Sequence, residues 1–294
     1  MEQIGQVQQL WRYPVKSMAG EALTQTTLAG EGILGDRAFA LLDVQTGRIV
    51  SAKNVRHFPD LLRCRAAFVA PVVPGGDLPE VTIELPDGRS VRSDDPEVDR
   101  RLSDALGREL RLVREAPADY TVDQHHPDVA DGAVAAGAGK TVATRLGSAL
   151  FAQLGVPSPV APGRLVDAFP LSLLSLSTLA RMDGLQPASR FELARFRMNV
   201  IVEPADAAAV EATWIGRALS LGPAVRVEVA IPAPRCVMVT RAQAGLDEDL
   251  GVLSALVRHN RLPVGPLGPL PCCGLYAVVT TAGMLRTGDA VALH

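Results

Sequence analysis

Apolar and polar residues alternate in short runs along the first third of the chain. Ile4 to Tyr13 stops at Pro14, Arg37 to Asp43 passes through Thr46-Gly47 into Arg48 to Lys53, and Val81 to Leu85 turns at Pro86-Asp87-Gly88 into Arg89 to Arg92. A period of two punctuated by turn residues predicts strands joined as hairpins. One helix is signalled by Asp94 or Asp95 as a cap, Pro96 in the first turn, Val98, Leu102 and Leu106 at four-residue spacing, and Gly107 at the end. Glu109 to Arg114 is then the strand to which it returns. From 115 to about 163 the periodicity fades into Ala, Gly and Pro, which predicts a surface excursion or a boundary near 115–125 and divides the chain into 1–118 and 119–294. Beyond it, Val166 to Leu174 is apolar, Ser177 to Met182 reads as a short helix, and Arg195 to Glu203 alternates as a half-buried strand. Trp214 to Ser220 with Ala224 to Ala230 reads as a hairpin, and Arg235 to Thr240, Gly274 to Thr280 and Ala290 to His294 as further strands. The fold class is mainly β with some α.

Composition sharpens this picture. Among 294 residues, 26 Gly and 22 Pro require many turns, and only 4% aromatics means a core of Val, Leu and Ala. A net charge of −3 provides no field for a general nucleic-acid binder. Cys64, Cys236, Cys272 and Cys273 include no CxxC and no zinc spacing, and are too few for a disulfide framework, so a reducing compartment is expected. The start, Met-Glu-Gln-Ile-Gly-Gln, lacks the apolar region of a signal peptide. The stretch Ala168 to Ala180 is broken by Ser172, Ser175, Ser177 and Thr178 and falls short of the ~20 residues of a membrane span. A soluble, cytoplasmic protein without nucleic-acid or membrane partners is expected.

Several segments carry candidate chemistry, each with a plainer reading beside it. Gly137-Ala138-Gly139-Lys140-Thr141 resembles the end of a phosphate loop, but position 134 is Val134 where that motif needs Gly, so a loop is expected. His125-His126 with Asp123 and Asp128 could ligate a metal or simply be solvated. In Arg195-Phe196-Arg197-Met198-Asn199-Val200, a strand would turn Arg195, Arg197 and Asn199 to one face, suited to an anion or to solvent. Lys16-Ser17 and Gly35-Asp36-Arg37 are turns or anion contacts. Cys236 follows Pro232-Ala233-Pro234-Arg235, where a neighbouring Arg favours a thiolate; the alternative is a small buried hydrophobe.

Together, Trp11-Arg12-Tyr13-Pro14-Val15-Lys16-Ser17, Gly35-Asp36-Arg37 with Phe39 and Asp43, and Ser51-Ala52-Lys53-Asn54 with Pro59, Leu61 and Leu62 resemble the N-terminal β-barrel domain that accompanies MOSC domains. Asp167-Ala168-Phe169-Pro170-Leu171, Arg195 to Val200, Arg235-Cys236 with Thr240, and Gly274-Leu275-Tyr276 with Gly288-Asp289-Ala290-Val291 resemble the MOSC domain itself. Relatives include the mitochondrial amidoxime-reducing component and the C-terminal region of molybdenum-cofactor sulfurase. The resemblance implies an N-terminal β-barrel-like domain, a MOSC β-barrel domain, and a molybdopterin-type molybdenum cofactor in a cleft between them. It implies Cys236 as metal ligand with Arg235 beside it, and Lys16, Ser17, Arg37, Arg197 and Asn199, with Ser175 and Thr178, around the pterin. Cys64, Cys272 and Cys273 match no ligand position.

The activity implied is reduction of N-hydroxylated or N-oxide small molecules, with Arg235 and Cys236 at the catalytic centre. The alternatives are a sulfur carrier or transferase holding a persulfide on Cys236, and a scaffold kept for chemistry without molybdenum. Met198 stands where relatives often have Pro. No pyridoxal-phosphate domain and no iron–sulfur cluster spacing is expected in this chain, so electrons or sulfur would come from a separate donor protein or a cysteine desulfurase.

Overall fold

The computed structural model describes residues 2–208 and 211–294. The chain opens with β1 (Glu2–Arg12), passes through short strands that include Ala40–Asp43, Arg65–Phe68 and Val81–Glu84, and reaches helix α1 (Val98–Leu106). A long hairpin follows, β2 (Thr121–Ala130) and β3 (Ala133–Arg145). Then come β4 (Leu171–Ser175), α2 (Leu176–Leu185), β5 (Val200–Pro204), β6 (Ala218–Leu221), β7 (Val225–Pro234), α3 (Leu250–His259), β8 (Pro269–Thr281) and β9 (Ala290–Leu293).

Seven strands close into a barrel in the order β4-β5-β1-β9-β6-β7-β8 and back to β4. Neighbours run antiparallel except β4 and β5, which are parallel. Closure leaves none of the seven as a free edge. The first strand of the chain thus completes a barrel otherwise built from residues beyond 170, pairing Leu10 with Val200 on one side and Glu2 with Leu293 on the other. Val7 and Leu10 both face the barrel core, three residues apart, which a strict period of two forbids. A bulge between Val7 and Gln9 resets the alternation.

The N-terminal region has a separate core of Phe39, Leu41, Leu61, Ile83, Leu102 and Leu110. Helix α1 lies where expected and ends at Gly107, although Asp95 accepts from the Glu97 amide just before the helix rather than capping its first turn. Helices α2 and α3 form a third core, burying Leu179, Met182, Leu253 and Leu256 with Phe196. Among the described residues no helix is long and apolar enough to cross a membrane.

Three local expectations are corrected. The stretch expected to be irregular holds the β2–β3 hairpin, which closes on Asp131-Gly132 with both residues at positive φ (49° and 74°), the two-residue turn that matches strand twist. Its strands carry few buried residues, so no alternation marks them, and His125-His126 sits on a strand rather than a loop. Arg195 to Asn199 is not a strand: Leu193–Phe196 is a single helical turn, Arg197 is left-handed (φ 54°), and β5 begins at Val200. Five residues of alternation cannot separate a strand from a turn followed by a reversal. Arg195 instead donates to the carbonyls of Arg190 and Asp247 at 3.0 and 2.9 Å. Val237–Thr240 is likewise a 3-10 turn, not a strand.

Because Leu10 is fully buried in the barrel core, Leu10→Ala is expected to lower the unfolding free energy by about 2–5 kcal/mol in urea titrations. A loss below about 1 kcal/mol would show that β1 is dispensable to the barrel.

Candidate functional site

A cavity of about 660 Å³ lies between the N-terminal region, the barrel end and the hairpin. It is lined by Lys16, Ser17, Arg37, Arg197, Asn199, Arg235 and Cys236. Ser175 and Thr178 lie outside it. Both are buried around Glu211, whose carboxylate accepts from the Ser175 amide at 2.7 Å and the Gly274 amide at 2.6 Å. Burial pushes that carboxyl up to about 7, although these amides and the Thr178 hydroxyl oppose the shift.

Cys236 directly follows the Arg235 that leaves β7, and begins the Val237–Thr240 turn. Met238 of that turn packs on the N-terminal core and Val239 on the helical core, so the thiol is held where the two regions meet. Arg235 faces backbone. Its Nε and Nη2 donate to the Cys273 carbonyl at 2.8 and 2.6 Å, and Nη1 donates to the Phe196 carbonyl at 3.0 Å. Gly274 permits this arrangement: at φ 82°, a Cβ there would lie 2.4 Å from Met198 Cε and 2.7 Å from the Leu173 carbonyl oxygen. Asn199 ties the barrel to β1, its Nδ2 donating to the Trp11 carbonyl at 3.2 Å and its Oδ1 accepting from Ser172 at 2.8 Å.

A cluster of cations also lines the cavity. Among the described residues, four non-glycine positions have left-handed backbone, and three of them, Ser17, Arg37 and Arg197, line this cavity. Such conformations persist only where surrounding structure enforces them, and they cluster at functional sites. The guanidinium carbons of Arg37 and Arg197 lie 4.6 and 4.4 Å from the centre of the Tyr13 ring, and Arg37 Nη2 donates to the Arg197 carbonyl at 3.0 Å. Arg37 also pairs with buried Asp36, and Arg197 Nη1 donates to the Met18 carbonyl. Burial, and after it the Arg37 charge, pushes Arg197 down to about 10.

Lys16 and Lys53 share one carboxylate, Asp167, with Lys53 Nζ 2.7 Å from Oδ2. Burial pushes Lys16 down to about 8 against the pull of Asp167. Burial also disfavours the Lys53 ammonium, but Asp167 and then Cys236 outweigh it and raise Lys53 above the ordinary lysine value. Burial would raise the Asp167 carboxyl, yet the two ammoniums hold it well below the usual carboxylate range. Lys53, Asp167, Asp36 and Tyr13 are the functional candidates that residue-by-residue reading left without roles, although all four stand inside the segments that carry the family resemblance. Four cations against two carboxylates leave this cluster with an excess of two positive charges.

Only Cys236 of the four cysteines lines the cavity. The others are buried, and burial pushes the thiols of Cys64 and Cys272 up to about 12 and about 11, and that of Cys273 higher still. Among the described residues no three His, Cys, Asp or Glu side chains converge on one point. A half-buried thiol and a group of arginine and lysine side chains thus line one cavity, a combination of a soft sulfur donor with N–H groups that can meet an anion.

Residues 4–108 match the MOSC N-terminal beta barrel domain and residues 162–292 match the MOSC domain. Among curated proteins none matches the chain. Of solved structures, the YUAD protein from Bacillus subtilis aligns over 98% of this chain and 93% of its own, at 10% identity and a TM-score of 0.41. YiiM from Geobacillus stearothermophilus aligns over 43% of this chain and 54% of its own, at 13% identity and a TM-score of 0.28, so the match spans about half of that protein.

The folded-state titration of Asp167 lies below its unfolded value near 3.9, so its contribution to stability is complete above about pH 4 and is lost as the pH falls below that. Asp167→Asn is expected to lower the unfolding free energy by about 1–3 kcal/mol at pH 7, with the gap to the unchanged chain narrowing from about pH 4 to about pH 3. Urea titrations at each pH measure it, and a gap of constant size contradicts the assignment.

Proposed function

Since the chain belongs to the MOSC family, with its N-terminal beta barrel domain at 4–108 and its MOSC domain at 162–292, we propose that it binds a molybdopterin-type molybdenum cofactor and reduces N-hydroxylated or N-oxide small molecules. The observation that carries this reading is the single cavity-lining thiol, Cys236, set in one cavity with Lys16, Arg37, Lys53 and Arg197.

In this reading Cys236 Sγ would be the protein's ligand to the metal, and Arg37, Arg197, Ser17 and Lys16 would hold the phosphate and pterin of the cofactor. When bound, the cofactor supplies the two-electron removal of oxygen from nitrogen. The chain does the rest. Arg235 ties the backbone beside Cys236 to the Phe196 and Cys273 carbonyls by its hydrogen bonds, and Gly274 leaves the room this needs. Asn199 and Tyr13 brace the cationic cluster from β1 and the residue that follows it. Lys16 Nζ and Lys53 Nζ hold protons against Asp167 within the same cavity, where the released oxygen needs two protons to leave as water. Electrons come from a separate donor protein, and the compartment is cytoplasmic.

A second reading, a carrier with persulfide sulfur on Cys236, is favoured by one detail: this thiol lines the cavity and is half-buried, where the other three are buried.

The test is expression in a host that makes the cofactor, followed by elemental analysis and reductase assays with an artificial electron donor. Molybdenum and activity should co-purify with the chain, and Cys236→Ala should lower activity by at least about 100-fold, since even residues that only support metal ligands are worth 10–100-fold. Full molybdenum occupancy in Cys236→Ala overturns the ligand assignment. A gain of one sulfur atom on Cys236 after incubation with a cysteine desulfurase, seen by mass spectrometry in protein free of molybdenum, favours the carrier.

A further inference from the structure

The stretch 109–161 lies outside both family matches, and it contains the β2–β3 hairpin. The hairpin is tied at both ends. Towards its base the His125 amide donates to the Lys53 carbonyl at 2.9 Å. At its tip the Val134 amide donates to Ser254 Oγ at 2.9 Å and Arg258 Nε donates to the Gly132 carbonyl at 3.1 Å. It therefore runs from the N-terminal region to α3 as a fixed wall of the cavity.

The hairpin's lining residues are mostly polar, among them Gln124, His125, His126 and Arg145, with Val129 apolar at its far end. Val129 near the hairpin tip, Leu253 and Val257 one turn apart on α3, and Leu267, Leu270 and Pro271 around the start of β8 all line the cavity. Val129 and Leu267 are large, apolar and about half exposed, at 48% and 49%. Single exposed apolar residues are ordinary. These two come from elements far apart in sequence, yet both line the cavity that Leu253 and Val257 also line, and the hairpin tip is bonded to α3.

We propose that the tip of the β2–β3 hairpin, α3 and the start of β8 together form the specificity wall of this protein, and that their apolar residues make the mouth of the cavity a site for the apolar body of the substrate. The substrate class is then a small molecule with an alkyl or aryl body, lying against Val129, Val257 and Leu267 with its N–O group directed to Cys236. This rests on the proposed reduction for the head group alone. The body site follows from the apolar lining.

The experiment uses dimethylalkylamine N-oxides with alkyl chains from methyl to octyl, measured twice, by calorimetric binding and by kcat/KM in the molybdenum-loaded protein. Each methylene that enters the wall should tighten binding by up to about fourfold, the equivalent of ~0.8 kcal/mol. Val129→Asn combined with Leu267→Asn should flatten that dependence and weaken octyl binding by at least about tenfold relative to methyl. Val69→Asn, an equally exposed valine outside the cavity, should leave the dependence unchanged. Equal affinity across the series, or an undiminished dependence in the double variant, overturns the proposal. Chain-length-dependent binding without turnover supports the apolar site and rejects the reductase reading. Turnover without chain-length dependence does the reverse.

Discussion

The pairing of β1 on both of its edges is the constraint on which the molecule depends. Hydrogen-bonded to β5 and to β9, it closes a barrel whose other six strands come from the second half of the chain. Backbone ladders on both sides remove the exposed edge that would otherwise fray or recruit another strand. The strand runs straight into Tyr13, Lys16 and Ser17, so closing the barrel also carries the first cavity residues to the barrel end where Arg197, Asn199 and Cys236 lie. Asn199 strengthens the join, since its backbone and side chain both bond to Trp11.

What assembles there is electrostatically costly. Arg37 and Arg197 lie over the same ring although each disfavours the charge of the other, and Lys16 and Lys53 share a single carboxylate. Like charges gathered with little water have no stabilising role in the barrel itself. Backbone held left-handed at Ser17, Arg37 and Arg197 adds strain at the same place. Cores on either side bear this cost: Met238 and Val239 anchor the Cys236 turn in two of them, and Arg235 locks neighbouring carbonyls together. An anion bound there, as the proposed function requires, would relieve the repulsion that folding has to accept.

Much of the fold was legible locally. Pro14, Thr46-Gly47 and Pro86-Asp87-Gly88 mark real turns, and Gly107 ends α1, because turn chemistry and helix termination act over a few residues. The hairpin was missed although Asp131-Gly132 is a strong turn signal, because solvated Ala and Gly strands bury too little to alternate. The segment from Arg195 to Asn199 misled in the opposite way, its alternation arising from one helical turn and a left-handed reversal. Of the candidate site residues, those in compact motifs line the cavity, whereas Ser175 and Thr178 surround Glu211 behind it, a distinction set by which way β4 and α2 face.

By itself the sequence determined the strand-rich class, the two-part organisation and the identity of the cysteine with a basic neighbour, because composition, turn residues and motif order are properties of neighbours along the chain. Only the tertiary structure decided that β1 belongs to the distant barrel, that Lys53 and Asp167 join Lys16, that Arg235 bonds backbone, and that Cys64, Cys272 and Cys273 are buried away from the cavity. Those are long-range facts: burial and pairing depend on which surfaces meet when the barrel closes, and no local pattern encodes the partner.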